Sequence, residues 1–158
     1  MLFNSGINLK TKQKKLYQQK SANYFNLLWQ PYKSKNGRLF VGAGEGLLVL
    51  DETQDSLRHI KDYNGFDELS RSSVYAFHTN NKGTWLSTSS GVYLVDLTQE
   101  KVLSAYNETS EKENFIPTSS VKHLYEDNNG VFWLATDGNG LIKWDLKNGN
   151  YQSFTKGN

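Results

Sequence analysis

The sequence of 158 residues contains no cysteine, only two prolines and a single methionine. The absence of cysteine excludes disulfides, thiol catalysis and thiolate metal ligands, although it does not fix the cellular compartment. No apolar run approaches the roughly 18 residues of a transmembrane helix, so we expect no membrane contact by this segment. Residues 1–20 lack an apolar stretch ahead of a small-residue cleavage site, so we do not expect a signal peptide there.

The chain also has little excess charge of either sign. Its formal net charge of +2 is too small to indicate binding to nucleic acid or to an anionic membrane. In contrast, aromatic residues make up 13% of the chain, and glycines number 13. This composition favours many short strands joined by tight turns.

The clearest strand pattern lies in residues 119–154. Asn-Gly occurs there three times, each time next to apolar or aromatic residues, which is a strong hairpin signal. The pattern predicts a four-stranded antiparallel meander. The expected strands are Val121–Glu126, Val131–Thr136, Leu141–Asp145 and Tyr151–Phe154.

The same landmarks recur along the chain at one period. A glycine opens each predicted third strand and an aspartate ends it, and an aromatic residue lies in each second strand. The aspartates recur after 45 and 49 residues. The landmarks are Gly46, Gly91 and Gly140; Asp51, Asp96 and Asp145; and Phe40, Trp85 and Trp133.

A four-stranded repeat of this length is typical of a β-propeller blade. A helical repeat is excluded because no window keeps apolar residues at helical spacing. We therefore predict an all-β, partial β-propeller of about three and a half four-stranded antiparallel blades in one domain. The predicted parts are the end of a blade at 1–20 and blades at 21–65, 66–113 and 114–158.

Strand alternation predicts which side chains fill the core between blades. These are the residues at matching repeat positions, namely Phe40, Trp85, Trp133, Leu47, Val92, Leu141, Val74 and Val121. Closed propellers have about four to eight blades. We therefore expect this segment to associate with itself or with the remaining blades of a longer chain.

The aligned repeat resembles the two-component-regulator propeller repeat of bacterial sensor proteins. The third predicted blade carries the resemblance in full: VKHLYED from Val121, NGVFWLAT from Asn129, GLIKWD from Gly140, and the final aromatic Phe154. The blade at 66–113 matches less fully, with Asn80 in place of the turn aspartate. The blade at 21–65 is weaker still, with Phe40 in place of tryptophan.

The resemblance implies a sensing region on the periplasmic or extracellular side of a bacterial inner-membrane histidine kinase, hybrid two-component sensor or diguanylate cyclase. It implies a non-enzymatic role in detecting a ligand, often an oligosaccharide. A protein-interaction scaffold is the alternative, and a polysaccharide-active propeller enzyme is a third reading, for which the sequence shows no cluster of acids, tyrosines or histidines.

Four residues are the candidate ligand-binding positions. The corners between second and third strands lie on one face of the predicted propeller, and they carry Glu45, Asp137 and Asn139. Trp29 departs from the repeat in a first strand near the central channel, where an aromatic face can stack on a sugar ring.

The sequence indicates neither a catalytic group nor a cofactor or metal site. The three histidines share no repeat position and have no metal-ligand spacing. Asp51, Asp96 and Asp145 recur in every copy, so we interpret them as turn residues rather than catalytic acids.

Overall fold

The computed structural model describes residues 27–60 and 69–157. These residues form twelve strands and include a 3₁₀ turn at Lys112–Asn114. The strands are β1 (Leu28–Lys33), β2 (Leu39–Ala43), β3 (Gly46–Asp51), β4 (Ser56–His59), β5 (Val74–Asn80), β6 (Gly83–Thr88), β7 (Gly91–Asp96), β8 (Lys101–Tyr106), β9 (Val121–Glu126), β10 (Phe132–Thr136), β11 (Leu141–Asp145) and β12 (Asn150–Phe154). The predicted blade end at residues 1–20 lies outside the described residues.

The strands form three four-stranded sheets in sequential order: β1–β4, β5–β8 and β9–β12. Every pair of neighbouring strands within a sheet is antiparallel. The all-β prediction is therefore confirmed, and each sheet has the meander order expected of a propeller blade. The first strands of the three sheets contact one another in succession, β1 with β5 and β5 with β9. We call them the inner strands.

The recurring aspartates hold the turns between third and fourth strands. Oδ1 of Asp51 accepts hydrogen bonds from the backbone N–H groups of Thr53 and Gln54. Asp96 and Asp145 accept equivalent bonds in their own turns. The hydroxyl of Thr53 also donates to Asp51 and, with these backbone donors, lowers the pKa of that carboxyl. The interpretation of these residues as turn formers is confirmed.

Glycine is required where each third strand begins. A Cβ at Gly91 would lie 2.2 Å from the carbonyl oxygen of Tyr106, and one at Gly140 would lie 2.2 Å from that of Phe154. Both residues have positive φ, 122° and 73°, a region that other residues rarely adopt. At these two positions glycine thus lets the third strand start tightly against the end of the fourth.

Two apolar clusters join the sheets. The first lies between the β1–β4 and β5–β8 sheets and includes Phe40, Leu47 and Val74. The second lies between the β5–β8 and β9–β12 sheets and includes Trp85, Val92 and Val121. These six predicted core residues are at most 2% exposed, so their assignment to the core between blades is confirmed.

The described residues do not bury the two remaining predicted core residues, Trp133 and Leu141. Trp133 is half-buried, and Leu141 is 39% exposed. Their neighbours Phe132, Leu134 and Ile142 point to the opposite face of the sheet and pack against β5–β8. Trp133 and Leu141 lie on the outer face of the third sheet, and none of the described residues forms a further blade there.

Aromatic side chains give this outer face an apolar surface. Tyr125 is 58% exposed and Phe154 42%. The ring of Phe154 stacks on that of Trp133 with centroids 5.9 Å apart. We call the surface formed by Tyr125, Trp133, Leu141 and Phe154 the outer face of the third sheet.

Within residues 27–60 and 69–157, no helix has the length and apolar character needed to cross a membrane.

Candidate functional site

Each inner strand has a register shift at the same repeat position. In β5 the shift leaves Tyr75 unpaired between Val74 and Ala76. In β9 it leaves Lys122 unpaired between Val121 and His123. A β-bulge of this kind re-aims the side chain of the extra residue.

The shift in β1 falls between Leu28 and Pro31, the interval that contains Trp29. The three positions are equivalent by register. In each inner strand, one residue pairs with the aromatic residue of the second strand: Tyr32 with Phe40, His78 with Trp85 and Tyr125 with Trp133. The bulge residue lies three positions before that residue in all three strands. One structural position therefore presents Trp29, Tyr75 and Lys122 from three successive blades.

The three bulge side chains contact one another in sequence. The rings of Trp29 and Tyr75 meet edge to face, with centroids 4.9 Å apart and an interplanar angle of 77°. Nζ of Lys122 lies 4.3 Å from the centroid of the Tyr75 ring and donates a 3.1 Å hydrogen bond to its hydroxyl. The result is an aromatic corner with a cation at one end.

Asp137 completes this row of side chains. It directly follows β10, and its Oδ2 lies 3.1 Å from Nζ of Lys122. The hydroxyl of Tyr75 and the carboxylate of Asp137 both favour the charged amine, and they raise the pKa of Lys122. The amine is therefore cationic at neutral pH, with one of its three N–H donors left for a further partner.

An open pocket of about 600 Å³ lies over this row. Its lining combines apolar, aromatic and polar side chains, with Lys122 as the charged residue. The lining residues are Leu27, Trp29, Gly44, Ser73, Tyr75 and Lys122. A cleft with aromatic walls and a few convergent polar groups is a general form of small-ligand site. We call the pocket and Asp137 together the inner-strand site.

The structure distributes the four sequence-predicted residues unequally. Trp29 and Asp137 are brought to one site, linked through Tyr75 and Lys122. Glu45 lies in the turn beside Gly44, but its Oε1 lies 3.6 Å from Nε2 of His59 in β4.

Asn139 is exposed, and its backbone N–H donates to the hydroxyl of Thr136 across the turn. Its contact is therefore local to the corner between β10 and β11. Ligand binding at all four residues stays a prediction.

Sequence reasoning missed Tyr75 and Lys122. The signal for both was present, because each directly follows a valine, Val74 or Val121, that the repeat assigns to the core. The side chain at this position is different in each of the three blades, however. Only the shared bulge shows that Trp29 occupies the same position as Tyr75 and Lys122.

The other ends of the inner strands carry a second set of cross-blade contacts. The hydroxyls of Tyr32 and Thr79 lie 2.8 Å apart, which joins β1 to β5. At the equivalent positions, Nε2 of His78 lies 2.8 Å from Oε2 of Glu126, which joins β5 to β9. In each contact, the inner-strand residue that pairs with the second-strand aromatic (Tyr32 or His78) reaches the first strand of the next blade.

Glu126 also accepts a 2.9 Å hydrogen bond from the side-chain amide of Asn80. Partial burial of the carboxylate favours its neutral form, but the hydrogen bonds from Asn80 and His78 outweigh that effect and lower its pKa. This contact therefore joins the second and third blades at the ends of β5 and β9 that lie away from the inner-strand site.

Among residues 27–60 and 69–157, the structure shows no group of three or more histidine, aspartate or glutamate side chains able to hold a metal ion.

Comparison with known families bears directly on the third sheet. The sequence model of a family described as "Two component regulator propeller" matches residues 116–138, which include β9, β10 and Asp137. The chain carries a two-component-regulator propeller repeat. The resemblance predicted from the sequence is thereby confirmed. Among curated proteins, none has a significant sequence match to the chain.

Solved structures share the fold of this propeller segment. The extracellular domain of BT3049, described as a hybrid two-component system of B. thetaiotaomicron, aligns with 91% of the chain at a TM-score of 0.67 and 22% identity. The extracellular domain of BT4673 from the same organism aligns with 94% at a TM-score of 0.64 and 16% identity. PorZ, a surface component of the type-IX secretion system of Porphyromonas gingivalis, aligns with 91% at a TM-score of 0.51 and 14% identity.

The chain spans 18% of the BT3049 structure, 19% of the BT4673 structure and 22% of the PorZ structure. It therefore corresponds to about a fifth of the length of these larger domains. At such identities the likeness concerns the fold.

Proposed function

We propose that the chain is a ligand-sensing propeller segment of a bacterial two-component sensor, on the periplasmic or extracellular side of the membrane. The propeller repeat supports the sensor class, and two neighbours with the same fold are extracellular domains of two-component systems. The observation that carries a binding role is the convergence of three bulge side chains on one open pocket, with Asp137 paired to the lysine among them. Residues that differ between repeats while sharing one position are suited to recognition rather than to architecture.

We propose that the ligand is a carbohydrate. A sugar ring has an apolar face that can pack on an aromatic ring, and Trp29 offers one that is 39% exposed at the pocket wall. Sugar hydroxyls both donate and accept hydrogen bonds, and Lys122, Asp137 and Tyr75 supply both kinds of partner. This combination of a partly exposed ring and a polar row matches a saccharide better than it matches a purely apolar ligand.

The proposed role is binding without turnover. The recurring carboxylates of Asp51, Asp96 and Asp145 are engaged in turns, and Asp137 is paired with Lys122. Paired carboxylates placed across a scissile bond are the usual equipment for hydrolysing glycosides. The inner-strand site combines its carboxylate with a cation and two aromatic rings instead.

A thermal-shift screen against a panel of oligosaccharides tests the proposal. We expect at least one sugar to raise the melting temperature in a concentration-dependent way, because binding to the native state stabilises it. Chromatography of each stabilising sugar after prolonged incubation should recover it unchanged. Stabilisation by none of the sugars would overturn the carbohydrate proposal, and release of shortened products would establish an enzyme instead.

A second candidate role, protein interaction, is favoured by the outer face of the third sheet. Trp133 occupies the repeat position of Phe40 and Trp85, which are both fully buried by the following sheet. We propose that a further blade covers Trp133 in the same way, and that the isolated chain associates through this face. Sedimentation velocity over a range of concentrations should show reversible association. A stable monomer at high micromolar concentration would contradict this proposal.

A further inference from the structure

The inner-strand site has a balanced charge. Lys122 is the charged residue of the pocket lining, and the carboxylate of Asp137 lies 3.1 Å from its amine. The side chains are 46% and 65% exposed, so both remain within reach of a ligand. A ligand that approaches the cation therefore approaches an anion as well.

An acidic ligand gains much less from such a pair than from an unpaired cation. A carboxylate or sulfate hydrogen-bonded to Lys122 would lie at most about 6 Å from the carboxylate of Asp137, given one further hydrogen bond of about 2.8 Å. The interaction energy of two unit charges falls in inverse proportion to the distance between them, and it is larger near a protein surface than in bulk water. At about 6 Å from Asp137 and about 2.8 Å from Lys122, the repulsion would thus offset about half of the attraction.

A neutral hydroxyl group meets the opposite situation. It can accept the remaining N–H of Lys122 and donate its own proton to Asp137, so both members of the pair contribute. The hydroxyl of Tyr75 accepts from Lys122 and keeps its own proton for donation to the ligand. Each donor among these polar groups then faces an acceptor, and each acceptor faces a donor.

We infer that the inner-strand site selects neutral saccharides over acidic ones, and that Asp137 is the residue that rejects a carboxylated or sulfated sugar. This inference rests on the proposed carbohydrate-binding function. It assigns to Asp137 a specificity role distinct from that of Trp29, which supplies a stacking surface common to both classes of sugar.

Isothermal titration with matched sugar pairs tests the inference. The probes are oligogalacturonide and oligomannuronide tetrasaccharides, each beside its carboxyl-reduced neutral form. The proteins are the wild-type chain, Asp137→Asn and the control Asp145→Asn, which changes a turn aspartate of the same blade.

We expect the wild-type chain and Asp145→Asn to bind a neutral form at least tenfold more tightly than its acidic partner. Asp137→Asn should lose this preference, with a gain of at least fivefold for the acidic sugar. In Asp137→Asn no carboxylate offsets the positive charge of Lys122, so the gain in affinity for the acidic sugar should shrink as the sodium chloride concentration is raised.

Two outcomes overturn the inference while leaving carbohydrate binding intact. One is a wild-type preference for the acidic sugars, and the other is an unchanged preference in Asp137→Asn. Binding of neither form to the wild-type chain, together with no stabilisation by any sugar of the thermal-shift panel, would overturn the proposed function and this inference with it.

Discussion

Adjacent residues on β11 provide a direct test of which sheet face is structural. Ile142 is fully buried against the second sheet, whereas Leu141 lies on the outer face and is 39% exposed. Replacing a buried isoleucine by alanine removes its transfer free energy and leaves a cavity, at a cost of about 2 to 5 kcal/mol. We therefore expect Ile142→Ala to lower the free energy of unfolding by about 3 kcal/mol.

Leu141→Ala is the matched control, because it removes a side chain of the same size from the next position of the same strand. We expect it to cost less than about 1 kcal/mol, in keeping with partly exposed positions. Both substitutions lower strand propensity, so the difference between them reports burial. Urea unfolding of dilute protein, with a common m-value, measures both. Equal losses would refute the assigned orientation of the third sheet.

Two further predictions concern the cross-blade contact and the outer face. The pKa of Glu126 lies below its ordinary value of 4.5 in the folded state, so its stabilising effect is present above that pH and is lost as the pH falls through the folded pKa. Between pH 6 and pH 3 the urea midpoint should therefore fall more in wild type than in Glu126→Gln. The exposed control Glu113→Gln should behave as wild type does. Identical falls in all three proteins would exclude the contact of Glu126 with His78 and Asn80 as a source of acid sensitivity. Tyr125→Glu places a charge on the outer face, and we expect it to weaken self-association at least tenfold in sedimentation velocity with the unfolding free energy changed by less than about 1 kcal/mol. Association as strong as that of wild type would show that the chains meet elsewhere.

The repeat made most of the architecture predictable. Strand alternation and the Asn-Gly turns located β9 to β12 within about one residue at each end, and the recurring glycines and aspartates identified their turns. The recurrence of a residue also indicated its role correctly at Asp51 and Asp145. Such features depend on local sequence, so a single sequence is sufficient to find them.

Burial on the outer face could not be predicted in the same way. Trp85 and Trp133 occupy one repeat position, but the first is covered by a following sheet and the second is half-buried. Whether a position is buried depends on the neighbouring blade as well as on its own strand. The repeat pattern therefore assigned Trp133 and Leu141 to a core that the described residues do not complete.

The candidate site was predictable only in part. Trp29 and Asp137 were identified because they depart from the repeat or lie at a corner. Tyr75 and Lys122 became visible only through the register shifts of β5 and β9. A bulge changes the direction of one side chain without leaving a strong mark in strand periodicity, so the grouping of these residues required the structure.

The central claim is that the bulge position of the inner strands forms a ligand site. Its most direct test is calorimetric titration of a stabilising oligosaccharide into wild type, Trp29→Ala and the control Tyr151→Ala, which removes an exposed aromatic ring of β12 that lies outside the inner-strand site. Loss of about 1.4 kcal/mol of binding free energy corresponds to a tenfold rise in Kd. We predict at least that rise for Trp29→Ala and an unchanged Kd for Tyr151→Ala. An unchanged Kd for Trp29→Ala would contradict the account, as would a rise confined to Tyr151→Ala.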